Sequence, residues 1–340
     1  MEILKFNKPF STDTGDFLPA LEIAYNTWGK LNNEADNAIW ICHALTANSD
    51  VEEWWPGMVG KGLLFDTEKY FIVCANVLGS CYGTTGPASV NPETGKPWLR
   101  DFPLITVRDL VNAHEILRKH LKIRHIHTII VASIGGFQSL EYSIMYPDII
   151  SRLVFIASSS KQSPWAISFS ESQRMAMEAD LSFVSNEPDG GKKGLKAARS
   201  IALLSYMNAA AYNRTQAEDD NEKIDSFKAS SYQVYQGDKL VKRFNPYSYY
   251  NLTRLSDTHN IARGRGGRAN ALGKIKAKSL CIGITSDILF PVIEQKFVAE
   301  NIPRGEYVEI DSFYGHDGFL IEAKLITDVI RKFWEYHHTK

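Results

Sequence analysis

Short apolar runs recur along this chain at residues 39–45, 70–77, 127–133, 152–158, 279–285 and 307–311. Most are apolar nearly throughout, as strands covered by helices on both faces must be. Between them, residues 106–121, 135–146, 291–302 and 323–337 carry apolar side chains at helical spacing. Strand, helix and strand in alternation argue for a mainly parallel central sheet flanked by helices, an α/β fold. Residues 18–29 alternate in polarity instead and read as an antiparallel edge.

The alternation stops between about 160 and 272. That stretch is rich in Ser, Ala, Met, Tyr and charge and reads as helical, with no convincing buried strand. The expected organisation is therefore a core of residues 1–159 and 273–340, interrupted by a helical insertion at 160–272. Insertions of this length at a loop position are usually functional, for instance as lids.

A formal net charge of −1 over 340 residues gives no global field toward nucleic acid or an anionic membrane. No apolar run approaches the roughly 20 residues needed to span a bilayer. The N-terminal residues show no basic region followed by an apolar one, so no signal peptide is expected. Cys42, Cys74, Cys81 and Cys281 are scattered and read as reduced thiols of a cytoplasmic protein. No C-x-x-C or H-x-x-x-H spacing points to a metal. "RGRGGR" (263–268) resembles an RNA-binding patch, but one short run in a neutral chain reads better as a mobile, solvated loop.

"TIIVASIGGFQSLEY" (128–142) places Ser133 between a buried strand and a helix. The pattern G-x-S-x-G of a nucleophile elbow is half met, with Val131 in place of the first glycine. A serine needs a base and a group to orient that base. In an open parallel sheet these gather at the carboxyl ends of strands. Asp287 follows one later strand in "LCIGITSDILFP", and His316 follows the next in "YVEIDSFYGHDGFL". Ser133, Asp287 and His316 thus stand in the order expected of an elbow-type triad. Two backbone N–H groups should face the oxyanion: that of Ile134, after the nucleophile, and that of Leu45, after an early strand.

Several longer segments carry a resemblance. They include "LEIAYNTWGKLN", "CHALTANSD", "WWPGMVGKG", "SIGGFQSLEYSIMYPD", "FSESQR", "LTRLSDTHNIARGRGG" and "FYGHDGFL". With these the chain resembles the homoserine O-acyltransferases of the α/β-hydrolase superfamily, above all those that transfer acetyl. The resemblance implies an α/β-hydrolase core with an inserted helical lid and a homodimer formed through the lids. It implies a ping-pong reaction in which acetyl-CoA acylates Ser133 and L-homoserine takes the acyl group, with no cofactor and no metal. It further implies that a lid arginine and the aspartate after the catalytic histidine bind the amino acid, matched here to Arg174 and Asp317. The family usually shows Gly-Gly-Ser-Met-Gly-Gly at the elbow, where this chain has Val-Ala-Ser-Ile-Gly-Gly. Residue patterns alone leave open a succinyl donor, a serine acceptor, an esterase or thioesterase, and a hydrolase-like protein that binds a small ligand without turnover.

Overall fold

In the computed structural model, which describes residues 1–338, the apolar runs assemble into one eight-stranded sheet. Its strands are β1 (Glu2–Phe6), β2 (Leu21–Trp28), β3 (Ala38–Cys42), β4 (Phe71–Ala75), β5 (Ile126–Ala132), β6 (Ile150–Ile156), β7 (Lys278–Ile284) and β8 (Gly305–Ile310). They lie in the order β1-β2-β4-β3-β5-β6-β7-β8. Strands β3 to β8 are parallel, while β2 pairs antiparallel with both β1 and β4.

Strand alternation explains the apolar runs. Ile39 and Ile41 point into one hydrophobic cluster, with Trp55, Phe65 and Ile330. Trp40 and Cys42 point into the other, with Leu110, Phe137 and Val298. Both faces are therefore covered, and neither set of positions can be polar. The helices α1 (Val107–His120), α2 (Ile134–Met145), α7 (Val292–Asn301) and α8 (Ala323–His338) supply the cover. Helix α1 begins where Thr106 and Asp109 form a capping box, and its last turn carries Arg118 and Lys119, which suit the helix dipole.

Two expectations change. Residues 18–29 do form an antiparallel strand, but β2 lies inside the sheet and β1 takes the edge. β1 is mostly exposed, so it lacks the apolar run that marks a buried strand. The strand expected at 39–45 ends at Cys42, because His43 leaves the ladder to accept a hydrogen bond from Val77 N–H at 3.1 Å.

Between β6 and β7 the chain forms helices α3 (Pro164–Glu178), α4 (Lys192–Tyr206), α5 (Lys228–Val241) and α6 (Pro246–Asp257), with short helical segments between and after them. Two starts are written in the sequence. Ser163 and Asn245 cap α3 and α6 through Ala166 N–H and Ser248 N–H, each followed by proline at the first helical position. Helix α4 packs against α3, α5 and the turn that carries His316.

The "RGRGGR" segment is a clasp rather than a solvated loop. Arg265 grips the Glu141 carboxylate with two hydrogen bonds of 2.9 and 2.6 Å, and Arg268 meets Glu294 at 2.6 Å. Arg263 pairs with Asp13. These contacts tie the end of the insertion to α2, α7 and the N-terminal segment.

Candidate active site

Strand β5 delivers the chain to Ser133 with φ 59° and ψ −132°, a conformation that costs energy for any residue with a side chain. The surroundings hold it there. Ser133 N–H donates to the Ile156 carbonyl at 3.2 Å, and the Ser158 hydroxyl donates to the Ser133 carbonyl at 2.6 Å. Gly135 and Gly136 then let α2 start hard against its neighbours. A Cβ at Gly135 would run into the Cys42 carbonyl, and one at Gly136 into the Ser158 side chain. The side chain of Val131, the departure at the elbow, lies outside the described residues.

Asp287 follows β7, as its place in the sequence suggests. One carboxylate oxygen accepts from Leu289 N–H and Phe290 N–H at 2.8 and 2.9 Å. The other lies 2.7 Å from His316 Nδ1. A carboxylate only accepts, so Nδ1 carries the proton and Nε2 is left with its lone pair. Nε2 is buried and has no hydrogen-bond partner among the described residues. The imidazole is held between Phe290, Phe319 and Tyr206, at ring separations of 5.3, 5.3 and 5.9 Å. Gly315, at φ 65°, brings this loop so close to the Tyr206 and Met207 backbone that a side chain there would collide.

Ser133 is 9% exposed and His316 3%, and both line one cavity of about 350 Å³. A second, smaller cavity of about 50 Å³ is also lined by Ser133. Leu45 lines both cavities, and Ile134 lines the smaller one. Ile134 is also the first residue of α2, where a backbone N–H has no partner within the helix. The loop before Leu45 is braced by His43. Its Nε2 accepts from Val77 N–H, so Nδ1 carries the proton and donates to the Ala44 carbonyl at 2.9 Å. Burial lowers the His43 pKa to about 4, which keeps that tautomer neutral.

Asp317 lines the larger cavity beside His316. Burial holds its carboxyl above the ordinary range, against the pull of His316 and Arg199 and with a further push from Asp287. Arg174 is not brought there. Its guanidinium sits between α3 and α6, bonded to Glu171 through Nε at 2.9 Å and to Asp257 through Nη2 at 2.6 Å. Its charge is already matched inside the insertion, and it does not line the cavity.

The arginine that does face Asp317 across the cavity is Arg199, on α4. Its guanidinium carbon lies 5.3 Å from the centre of the Tyr206 ring, and its Nε is buried without a hydrogen-bond partner among the described residues. Sequence reasoning passed over it. The available signal was its position on the apolar stripe of α4, between Leu195 and Leu203, where a charge needs a reason.

Among the described residues no cluster of three His, Cys, Asp or Glu could hold a metal ion, and no helix is long and apolar enough to cross a membrane. The four cysteines are unpaired, with Cys42, Cys74 and Cys281 buried.

Comparison with known proteins adds sequence to this geometry. The α/β-hydrolase fold family matches residues 37–323. A homoserine O-acetyltransferase of Cyclobacterium marinum is 45% identical over 98% of this chain and 95% of its own length. One from Chloroherpeton thalassium is 43% identical over 98% of this chain and 88% of its own. Among solved structures, a homoserine O-acetyltransferase from Bacillus anthracis superposes with a TM-score of 0.91 at 24% identity, covering 98% and 97% of the two chains. Esterase E22 superposes at 0.89 with 21% identity, covering 98% of each. At that identity the superpositions speak for the fold alone.

Proposed function

Since the chain belongs to the α/β-hydrolase fold family and, within it, to the homoserine O-acetyltransferases, we propose that Ser133, His316 and Asp287 are the groups that carry acetyl from acetyl-CoA to the hydroxyl of L-homoserine. That reaction belongs to methionine biosynthesis. His316 Nε2 takes the proton of Ser133 Oγ as it attacks the thioester carbonyl. The C–S bond breaks, the proton passes to the departing sulfur, and free CoA leaves an acetyl-serine. Homoserine then enters and its hydroxyl loses a proton to Nε2 as it attacks the ester. The same proton returns to Ser133 Oγ. Asp287 fixes the ring orientation and stabilises the imidazolium that forms in each half. The backbone N–H groups of Ile134 and Leu45 stabilise the oxyanion. Side chains and backbone suffice for every step, with acetyl-CoA as co-substrate.

The observation that carries this reading is the charge arrangement in one cavity. Beside Ser133 and the unpartnered His316 Nε2 stand Arg199 and Asp317, opposite charges for a zwitterion. Arg199 grips the carboxylate of the amino acid, and Asp317 holds its ammonium. This gives Arg199 the role that the family resemblance assigned to Arg174. The small cavity of about 50 Å³ beside Ser133 suits an acetyl group. It has no basic side chain to meet the carboxylate of a succinyl chain.

The insertion at 160–272 acts as the lid over this cavity and as the dimerisation surface. Leu181, Leu204, Val234 and Tyr235 leave apolar surface exposed on it. A cytoplasmic setting fits the unpaired thiols. An assay of CoA release that crosses acetyl-CoA and succinyl-CoA with homoserine and serine tests the reading. Acetyl-CoA with homoserine should exceed every other pair by about tenfold or more. CoA release at the same rate without any amino acid would instead indicate a thioesterase.

A further inference from the structure

The cavity that holds Ser133 is lined by three basic side chains, Arg199, Lys239 and Arg243. Among the described residues none of them forms an ion pair with a carboxylate. By contrast, Arg118, Arg174, Arg265 and Arg268 each sit on an acidic partner. Three cations against two acids, Asp317 and Glu53, leave this lining with one positive charge in excess, and neither acid lies within 4.0 Å of a lining cation. Excess positive charge around a cavity implies anions in its ligands.

Depth divides the three. Arg199 is half-buried near Ser133 and His316, whereas Lys239 and Arg243 are exposed. Lys239 lies in the last turn of α5, and Arg243 follows just beyond its end, four residues on. That spacing brings two cations to one side of a helix end. Arg243 is held in place by the Thr46 carbonyl and, at 2.8 Å, the Tyr82 hydroxyl, neither of which neutralises it. One amino acid brings one carboxylate, and Arg199 serves it. The rim cations are left for a second, larger anion that reaches Ser133 from the outside.

We infer that Lys239 and Arg243 form the docking point for the phosphate groups at the nucleotide end of the acyl donor. The donor's thioester enters first, its flexible arm runs along the cavity past Leu45 and Trp54, and its phosphates stop at the rim. This rests on the acetyltransferase reading above and adds the residues that choose the donor.

The test uses the full chain and two acetyl donors, acetyl-CoA and S-acetylpantetheine, which carries the same thioester and arm without phosphate. The readout is the ratio of their kcat/KM values with homoserine as acceptor. Lys239→Glu should lower this ratio about tenfold or more. Arg243→Gln should lower it in the same direction. Lys242→Glu makes an equal change in net charge outside the cavity and should keep the ratio within about twofold. Added salt should lower the wild-type ratio, because exposed charges are screened. A ratio unchanged in both rim variants overturns the inference, as does a loss that falls on KM for homoserine instead. If the wild-type chain transfers acetyl from neither donor, the acetyltransferase reading itself falls, and this inference falls with it.

Discussion

The core and the insertion solve different problems with different materials. In the core, strands buried on both faces hold their ends rigidly, and Ser133, Asp287 and His316 each follow a strand end. Backbone hydrogen bonds fix Ser133 and Asp287, and the turn of His316 is anchored by Gly315 N–H on the Ser286 hydroxyl. In the insertion, α3, α4 and α5 bury one stripe and leave the rest to solvent, and α6 is buried over most of its surface. Leu181 is 79% and Ile224 92% exposed. From those helices come Arg199, Tyr206 and Lys239, which line the cavity without supplying the reacting groups. On the reading proposed above, the chemistry rests on the core alone, while the choice of substrate draws on both parts, Asp317 from the core and Arg199 from the insertion. Substitutions should therefore separate them too.

The largest effect belongs to the core. Ser133→Ala should abolish acyl-enzyme formation and lower turnover by on the order of 10³ or more in the CoA-release assay. Wild-type turnover in this variant would remove the chemistry from the core altogether. Arg199→Ala, in the insertion, should lower kcat/KM for homoserine by about 30-fold or more while kcat/KM for acetyl-CoA changes little. Equal losses for both substrates would erase the division between the two regions.

Arg174→Ala sharpens the comparison within the insertion. It leaves Asp257 and Glu171 without their cation, and Glu171 is mostly solvated. The expected cost is about 1–3 kcal/mol of stability, read as a lower urea midpoint, with kcat/KM for homoserine near wild type. A 30-fold loss in kcat/KM at unchanged stability would return the acceptor role to Arg174.

A pH-dependent effect on stability lies where the two regions meet. His259, in the insertion, stacks on Phe137 of α2 at 3.9 Å and bonds to the Ser159 carbonyl at 3.0 Å. Burial lowers its pKa from 6.5 to about 3, helped by Arg268 and Arg265 and opposed by that hydrogen bond. Above pH 6.5 the ring is neutral in both folded and unfolded chains. Below it, the unfolded chain takes up a proton that the folded chain refuses until about pH 3. Stability therefore falls as the pH drops through that window, by on the order of 1.4 kcal/mol per unit for this residue. His259→Phe should flatten the fall measured by urea unfolding between pH 6 and pH 4. An unchanged slope would mean that the ring is already solvated in the folded state.

The same contrast explains what could be read beforehand. Strands β3 to β7 were legible because burial on both faces leaves a nearly unbroken apolar run; β8, half-buried at the far edge, has no such run. The edge strand β1 was not legible, because exposure removes that signal. Ser133, Asp287 and His316 were legible as strand-end residues in a telling order, and the fold does bring Asp287 to His316. Arg174 and Arg199 could not be told apart in this way. Both lie on the buried stripes of amphipathic helices. Only tertiary packing shows that Asp257, 83 residues away, has taken up the first. The arginines of "RGRGGR" were misread for the same reason, since their acidic partners lie far off in the sequence.

The division of labour is tested most directly by the mass of the intact protein after rapid mixing with acetyl-CoA, with homoserine added afterwards. Wild-type chain should gain one acetyl group and lose it when homoserine arrives. Arg199→Ala should gain the same acetyl group and keep it after homoserine is added, while Ser133→Ala should gain none. Discharge of the acetyl group by homoserine at the wild-type rate in Arg199→Ala, or acetylation of Ser133→Ala to the wild-type extent, would contradict the account.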